Sequence, residues 1–119
     1  MKVGHDESGA VAAETATVIP VLVLLAAVLA WMVSFGVAQV RAVDAARETA
    51  RSLARGDDVQ VGLKLGKQIA PRGAEIVVRQ EGDDVVVTVT AGVPGPGRLF
   101  AGLGRPVHAE SVAAREAAP

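Results

Sequence analysis

The stretch TATVIPVLVLLAAVLAWMVSFGVAQV, residues 15–40, decides the fold of this chain, because its 26 residues carry no charged side chain. An α-helix of that length measures about 39 Å, which exceeds the hydrocarbon core of a bilayer, about 30 Å thick. Uncharged runs longer than about 18 residues are typical of transmembrane helices. We therefore expect a helix that anchors the chain in a membrane.

Two other interpretations of this run stay open. A secretory signal peptide has a basic start, an apolar centre of about 7–15 residues and a cleavage site of small residues. The opening of the chain mixes Lys2 with Asp6 and Glu7, and the run is too long for such a centre, but a cut after Ala38 would fit the small residues at 36–38. A buried helix of a soluble protein is the other alternative, and it fits the length of the run less well.

Composition limits the remainder of the chain. With 119 residues, the sequence leaves room for one small domain beyond the apolar run. Half of the residues are hydrophobic but Tyr is absent and Phe and Trp are rare, which predicts an aliphatic core. A formal net charge of -1 gives no electrostatic reason to expect nucleic-acid binding. The chain has no Cys, so neither disulfides nor thiolate chemistry are expected.

The segment after the apolar run has helical periodicity. Apolar residues recur at spacings of three and four, namely Val43, Ala46, Ala50 and Leu53. This pattern predicts that the helix continues to about Arg55 with one apolar face, and Gly56 is a suitable stop.

Arginines follow the other side of this segment. Arg47, Arg51 and Arg55 are four residues apart, partly offset by Asp44 and Glu48. This spacing is typical of a solvated face or of contact with lipid headgroups. The positive-inside rule would place these arginines in the cytoplasm, but the rule weakens for long segments, and about 80 residues follow the span. The sequence alone leaves the orientation open.

The residues before Pro71 give conflicting signals. Asp57 and Asp58 are suitable caps for a second helix. Apolar residues then alternate with period two, and Gly62 and Gly66 disfavour a helix, so the local pattern favours a strand. The alternating residues are Val59, Val61, Leu63 and Leu65.

A β-hairpin is the clearest local pattern of the C-terminal half. Residues 74–80 and 84–91 are rich in Val, Ile and Thr and are separated by a turn around Glu81-Gly82, which would place Arg79 opposite Asp84. One face would then gather Ile76, Val78, Val85, Val87 and Val89. A Gly- and Pro-rich loop, 92–106, precedes a third expected strand, 107–112. Together with the helix past the membrane these strands predict a small α+β unit, followed by a loose tail after Arg115.

No motif for catalysis is visible. His5 and His108 have no second His or Cys at metal-ligand spacing, and no nucleophile has a base nearby. We therefore expect neither an enzyme nor a cofactor.

The N-terminal residues resemble a known processing site. Gly9 is followed five residues later by Glu14 and then by the apolar run, as at the prepilin-peptidase site of type IV pilin-like proteins, with Gly9 as the last leader residue. The longer stretches 13–16 and 38–47, with Pro20 between them, resemble TadE-like minor pilins or pseudopilins of Tad (Flp) pilus systems. The bias toward Ala, Val, Gly and Arg is typical of a high-GC bacterium such as an actinobacterium.

This resemblance implies an organisation and a function. Residues 1–9 would be a leader removed between Gly9 and Ala10 by a prepilin peptidase, 10–56 a transmembrane and extended amphipathic helix, and 57–119 a small extracytoplasmic domain. The N-terminus would be cytoplasmic, and the residues after 57 would include a short second helix. The implied partners are membrane lipid, the peptidase, other pilin subunits and the Tad assembly machinery.

The resemblance also assigns roles to residues. Glu14 would serve assembly, and Leu99, Phe100 and Leu103 in the Gly- and Pro-rich loop are candidates for a subunit contact. Two features differ from the pattern, since Thr15 stands where many pilins have an aromatic residue and the leader has few basic residues. The alternatives are an unprocessed single-pass protein that scaffolds a secretion system, and a secreted binding module that starts after Ala38.

Overall fold

A computed structural model describes residues 3–95, 102 and 104–115 of the chain, with side chains from Ser8 onward. Its elements follow in the order α1 (Val3–Ala54), α2 (Val59–Ile69), β1 (Glu75–Glu81), β2 (Asp84–Val93) and β3 (Arg105–Ala114). The three strands form an antiparallel sheet in the order β1-β2-β3. The predicted α+β class, with a long N-terminal helix, a short second helix and three strands, is confirmed.

Helix α1 contains 52 residues and runs through Pro20 without a break. It ends at Gly56, which takes a positive φ of 94° that an L side chain rarely adopts. The Gly56 N–H donates a hydrogen bond to the Leu53 carbonyl (3.1 Å), and the Asp57 N–H donates one to the Ser52 carbonyl (3.2 Å). These two bonds are those of a Schellman motif, so the predicted stop at Gly56 is confirmed.

Residues Val59–Ile69 form helix α2, so the strand that the local pattern favoured there is wrong. Its two glycines, Gly62 and Gly66, are buried against α1. A Cβ on Gly66 would overlap with Thr49 Oγ1, and a Cβ on Gly62 would lie 3.0 Å from Leu53 Cδ2. Glycine therefore lets the two helices approach closely, and this packing outweighs its low helix propensity. Asp58 occupies the N-cap position, but its side chain makes no capping hydrogen bond.

The hairpin register differs from the prediction by one turn position. Glu81 pairs with Asp84, so the turn residues are Gly82 and Asp83, and Arg79 lies opposite Val86 rather than Asp84. The predicted apolar face is nevertheless confirmed. Moving the turn by one residue shifts the cross-strand partner of each residue by two positions. Because side chains alternate between faces, a shift of two positions keeps every side chain on its own face.

The core lies between the inner face of the sheet and the alanine-rich face of α1. Ala42, Ala45 and Ala46 on the helix are fully or almost fully buried, as are Val87 and Val89 on β2. Small residues on the helix allow it to lie close to the valines of the sheet. Gln39 Nε2 adds a hydrogen bond of 3.1 Å to the His108 carbonyl on β3. The helix beyond the apolar run thus covers the sheet, as the apolar periodicity predicted.

Candidate functional site

The resemblance directs attention to the N-terminal half of α1. Gly9, Ala10 and Glu14 all lie on this helix with exposed side chains or, for Gly9, an exposed backbone. No atom lies within 4 Å of the position that a Cβ on Gly9 would take, so the residue is not needed for packing within the chain. A glycine inside a helix lowers its stability by about 1 kcal/mol relative to alanine, which favours local opening at this position.

Glu14 has no ion-pair partner among the described residues. Its neighbours in the helix are apolar or carry hydroxyl groups, and those groups are satisfied locally. Thr15 Oγ1 donates to the Val11 carbonyl (3.0 Å) and Thr17 Oγ1 to the Ala13 carbonyl (2.9 Å). Hydroxyls bonded in this way are compatible with lipid, whereas a lone carboxylate in lipid is costly.

The uncovered part of α1 has the length of a membrane. Every described side chain from Ser8 to Ala26 is exposed, and partial cover begins at Ala27. These 19 residues span about 28 Å, close to the thickness of a hydrocarbon core. Within the described part of the chain, α1 is the helix that is long and apolar enough to cross a bilayer, and its most apolar stretch is unburied.

The apolar run extends beyond the uncovered segment, so one side of its C-terminal part faces the domain. Trp31 and Phe35 pack against the domain core, with their ring centroids 6.1 Å apart. A groove of about 440 Å³ separates this part of the helix from the end of β2. It is lined by Ala27, Ala30, Trp31, Ser34, Val93, Pro94 and Gly95. The base of the domain therefore lies beside residues that the sequence assigned to lipid.

Trp31 marks the level at which the domain begins. Its Nε1 atom is buried and has no acceptor among the described residues. Tryptophan is typical of the membrane–water interface, where its ring contacts lipid and its N–H finds a polar partner. On the opposite side of the helix, Met32 and Val33 stay exposed. With the bilayer surface near Trp31, the exposed apolar side chains on one side of the helix would contact lipid, and the other side would contact the domain.

The three candidate interface residues, Leu99, Phe100 and Leu103, lie outside the described residues. Their expected contact with other subunits thus stays a prediction from the sequence. The described residues next to Leu103 are Gly102, which is exposed, and Gly104, where a Cβ would overlap with the Val93 carbonyl oxygen.

The arginines of α1 line a second groove, at the far end of the domain. It lies between α1 and β3, has a volume of about 470 Å³, and is bounded by Arg47, Arg51, Ala54, Arg55, Ser111 and Ala113. The sequence predicted that these arginines share one face. It gave no sign that β3 would form the other wall, because that contact joins residues about 60 positions apart.

Two polar clusters have structural explanations. Ser52 Oγ donates a hydrogen bond of 2.7 Å to Asp57 Oδ2, and this bond holds the pKa of Asp57 below its ordinary value, with a smaller contribution from Arg55. His108 lies exposed on the open face of the sheet, 3.5 Å from Thr90 Oγ1. Among the described residues, no group of three or more His, Cys, Asp or Glu side chains is placed to hold a metal ion.

Comparison with known proteins gives one informative relative. Over 78 residues, the chain is 45% identical to the protein named apoptosis inhibitor Rv3655c of Mycobacterium tuberculosis (strain ATCC 25618 / H37Rv). The alignment covers 66% of this chain and 62% of that protein, so the chain spans less than two thirds of its relative's length. No protein-family model matches the chain, and no solved structure matches it.

Proposed function

We propose that this protein is a TadE-like minor pilin or pseudopilin, a membrane-anchored subunit that takes part in assembly of a Tad (Flp) pilus. Its N-terminus would lie in the cytoplasm and its domain outside. A prepilin peptidase would cleave between Gly9 and Ala10, after which the subunit leaves the bilayer and packs against the helices of other subunits. The function is assembly rather than catalysis.

The observation that carries this proposal is the division of α1 into two parts. From Ser8 to Ala26 the helix is uncovered on every side, whereas from Ala27 onward the domain covers one side of it. A pilin-like subunit needs a helix that contacts lipid first and other helices later, so all its faces must be available. Because cover by the domain begins only at Ala27, the uncovered helix can exchange lipid for neighbouring helices without displacing the domain from α1.

Glu14 supports the proposal because its carboxylate forms no ion pair with any described residue. Cleavage after Gly9 would give Ala10 a free amine, four residues before Glu14 and therefore about one helical turn away. A carboxylate in an apolar environment needs an opposite charge, which the new amine of the same or a neighbouring subunit would supply. Before cleavage, no described residue of the chain meets this need.

The mass and N-terminal residue of the protein from membrane and pilus fractions of its own host test this proposal. A chain that starts at Ala10 supports pilin-like processing. A Gly9→Val variant, which should block the expected cut and whose new side chain has open space around its Cβ, should retain its N-terminus and lose its place in pilus fractions. An intact Met1 in the native protein would instead favour an unprocessed scaffold of a secretion system.

A second candidate function is the secreted binding module, since the name of the relative, apoptosis inhibitor, does not mention pilus assembly. Such a module would start at Gln39 and would be soluble in the medium. Ala38 is half-buried against the core, and Gln39 is bonded to β3, so a cut between them requires that part of α1 to open. The same mass measurement distinguishes this candidate, because its N-terminal residue would be Gln39.

A further inference from the structure

The arginine groove is lined by three guanidinium groups, none of which is held by a buried carboxylate among the described residues. Arg51 Nη1 lies 3.9 Å from Glu48 Oε2 and Arg55 Nη2 lies 3.4 Å from Asp57 Oδ2, both pairs being well exposed. Exposed ion pairs at such distances contribute little free energy, so these guanidinium groups can exchange their partners. Arg47 forms no ion pair with any described residue. The groove therefore has guanidinium donors available for an anionic partner.

With the bilayer surface near Trp31, the groove would lie above the lipid headgroups of the protein's own membrane. Arg47 follows Trp31 by 16 residues, which places it about 24 Å along the helix beyond the level at which the domain begins. Arg55 lies two turns farther away. Contacts with headgroups near Trp31 are out of reach at this distance. A partner that fills the groove must project from the membrane to the same height.

The β1–β2 turn of this protein has the charge that the groove requires. Glu81, Asp83 and Asp84 surround Gly82, and all three carboxylates are exposed. We name these four residues the acidic turn. Glu81 lies 3.7 Å from Arg79, but Asp83 and Asp84 form no ion pair with a described residue.

The strand register places the acidic turn level with the end of the groove that is farther from the membrane. Asp84 pairs with Ala114 and Val85 with Ala113, and Ala113 also lines the groove. Ser111, deeper in the groove, pairs with Val87, so the turn of an upright neighbour would meet the groove at its Ala113 end.

The two surfaces also lie on different sides of the domain. The acidic turn joins β1 to β2, whereas the groove lies along β3, which forms the opposite edge of the sheet from β1. One copy can therefore offer its turn to one neighbour and its groove to another. Contacts of this head-to-tail kind produce rings or open-ended assemblies rather than isolated pairs.

We propose that the arginine groove of one copy binds the acidic turn of a second copy of this chain. This contact deepens the proposed function and rests on it, because it gives the domain a defined lateral contact within an assembly. Arg47 and Arg51 contribute the available charges, and Ser111 on β3 contributes a hydroxyl to the same groove. Attraction between the two surfaces weakens with salt, since both are exposed.

A disulfide experiment tests this contact directly, because the natural chain has no Cys. Full-length protein carrying Ala113→Cys, at the end of the groove nearest in height to the turn, is mixed in lipid vesicles with full-length protein carrying Asp83→Cys and is then oxidised mildly. We expect a disulfide-linked dimer from the mixture at a yield well above that of either variant alone. Equal yields from the mixture and from the single variants would overturn the proposal.

Charge reversal decides whether the groove causes the contact. R47E/R51E/R55E in the Ala113→Cys copy should lower the yield about tenfold, because like charges then face each other. The matched control K64E/K67E/R72E changes the net charge equally on another face and should leave the yield unchanged. Lysines at positions 81 and 84 of the partner copy, introduced as E81K/D84K, should restore it.

Each further outcome has a defined meaning. A full yield after arginine reversal overturns the proposal, and so does a failure of E81K/D84K to restore the yield when both variants keep the wild-type Tm. If the reversed groove lowers the Tm, the neutral variant R47Q/R51Q, which leaves the Arg55–Asp57 pair intact, repeats the comparison. The vesicles contain no pilus machinery, so this result is independent of the N-terminal mass that tests the proposed function.

Discussion

Ser52 donates a hydrogen bond to Asp57 across the turn that ends α1, with 2.7 Å between Oγ and Oδ2. In a Schellman motif, apolar side chains usually meet at these two positions. Here a hydroxyl and a carboxylate replace them, and Ser52 is almost fully buried. The end of the long helix is therefore held by a contact that responds to pH.

The pH dependence of the domain should reflect this contact. The pKa of Asp57 is lowered in the folded state from an ordinary value of 3.8, chiefly by the Ser52 hydrogen bond, which outweighs an opposing effect of burial, and further by Arg55. The ionised form is thus favoured by folding. Its stabilisation is present above pH 3.8 and is lost as the pH falls through the lower folded-state pKa.

A Ser52→Ala variant should therefore unfold at a lower temperature than the wild type at pH 7, and the difference should narrow in acid. Circular dichroism of the full-length protein in detergent measures both values. Asp58→Asn is the matched control, because the Asp58 side chain makes no capping hydrogen bond. A difference in Tm that is the same at both pH values would contradict this role of Asp57.

Gly66→Ala should destabilise the domain, although alanine favours helices. The new methyl group would overlap with Thr49 Oγ1, and Thr49 is fully buried and has little freedom to move. We expect a loss of about 1–3 kcal/mol in the free energy of unfolding, as for other overpacked cores.

The double variant Gly66→Ala with Thr49→Ala should lose less free energy of unfolding than the sum of the losses of the two single variants. Gln60→Ala, at an exposed position of α2, controls for helix propensity and should be neutral. A Gly66→Ala variant that is as stable as Gln60→Ala would show that α2 does not pack on α1 through its glycines.

Val87→Ala should cost about 2 kcal/mol, because it removes two buried carbon atoms and leaves a cavity. Val87 has no exposed surface, whereas Val112 on the neighbouring strand is 57% exposed. Val112→Ala is therefore the matched control, with an expected effect below about 0.5 kcal/mol. Denaturant unfolding gives both values, and equal losses would be inconsistent with α1 covering the face that contains Val87.

Trp31 should lie near the bilayer surface, and its fluorescence can be assigned without ambiguity because it is the single Trp of the chain. In vesicles, lipids brominated near the headgroup end of their chains should quench it more strongly than lipids brominated near the chain end. In a Trp31→Phe background, Phe35→Trp moves the probe one turn, about 6 Å, and should weaken the quenching. Strongest quenching by the deepest bromines would place the domain base inside the bilayer.

Replacing Leu99, Phe100 and Leu103 together by Ser should impair pilus assembly while the protein still inserts into membranes. Apolar residues in a polar, Gly- and Pro-rich loop are candidates for a contact with another subunit. Electron microscopy of pili and membrane fractionation measure the two effects separately. Unchanged pili would exclude these residues as an essential contact.

The candidate site followed from the sequence only in part. Gly9, Ala10 and Glu14 were identified by a local pattern, and the structure places all three on an uncovered stretch of α1. The arginine groove and the acidic turn were visible as charges, but their relative height depends on the pairing of Val85 with Ala113. A contact between distant parts of a chain leaves no local pattern from which to predict it.

The sequence by itself determined the long helix, its stop at Gly56 and the hairpin faces, because these depend on an unbroken apolar run, on one positive φ and on a period of two. The local pattern favoured a strand where α2 forms, the resemblance implied the helix that is observed, and only tertiary structure explains that helix and decides where the uncovered part of α1 ends. Gly62 and Gly66 lower local helix propensity but permit close packing on Thr49 and Leu53. Packing outweighs propensity there, since the buried contact is formed by residues that no short stretch of sequence contains.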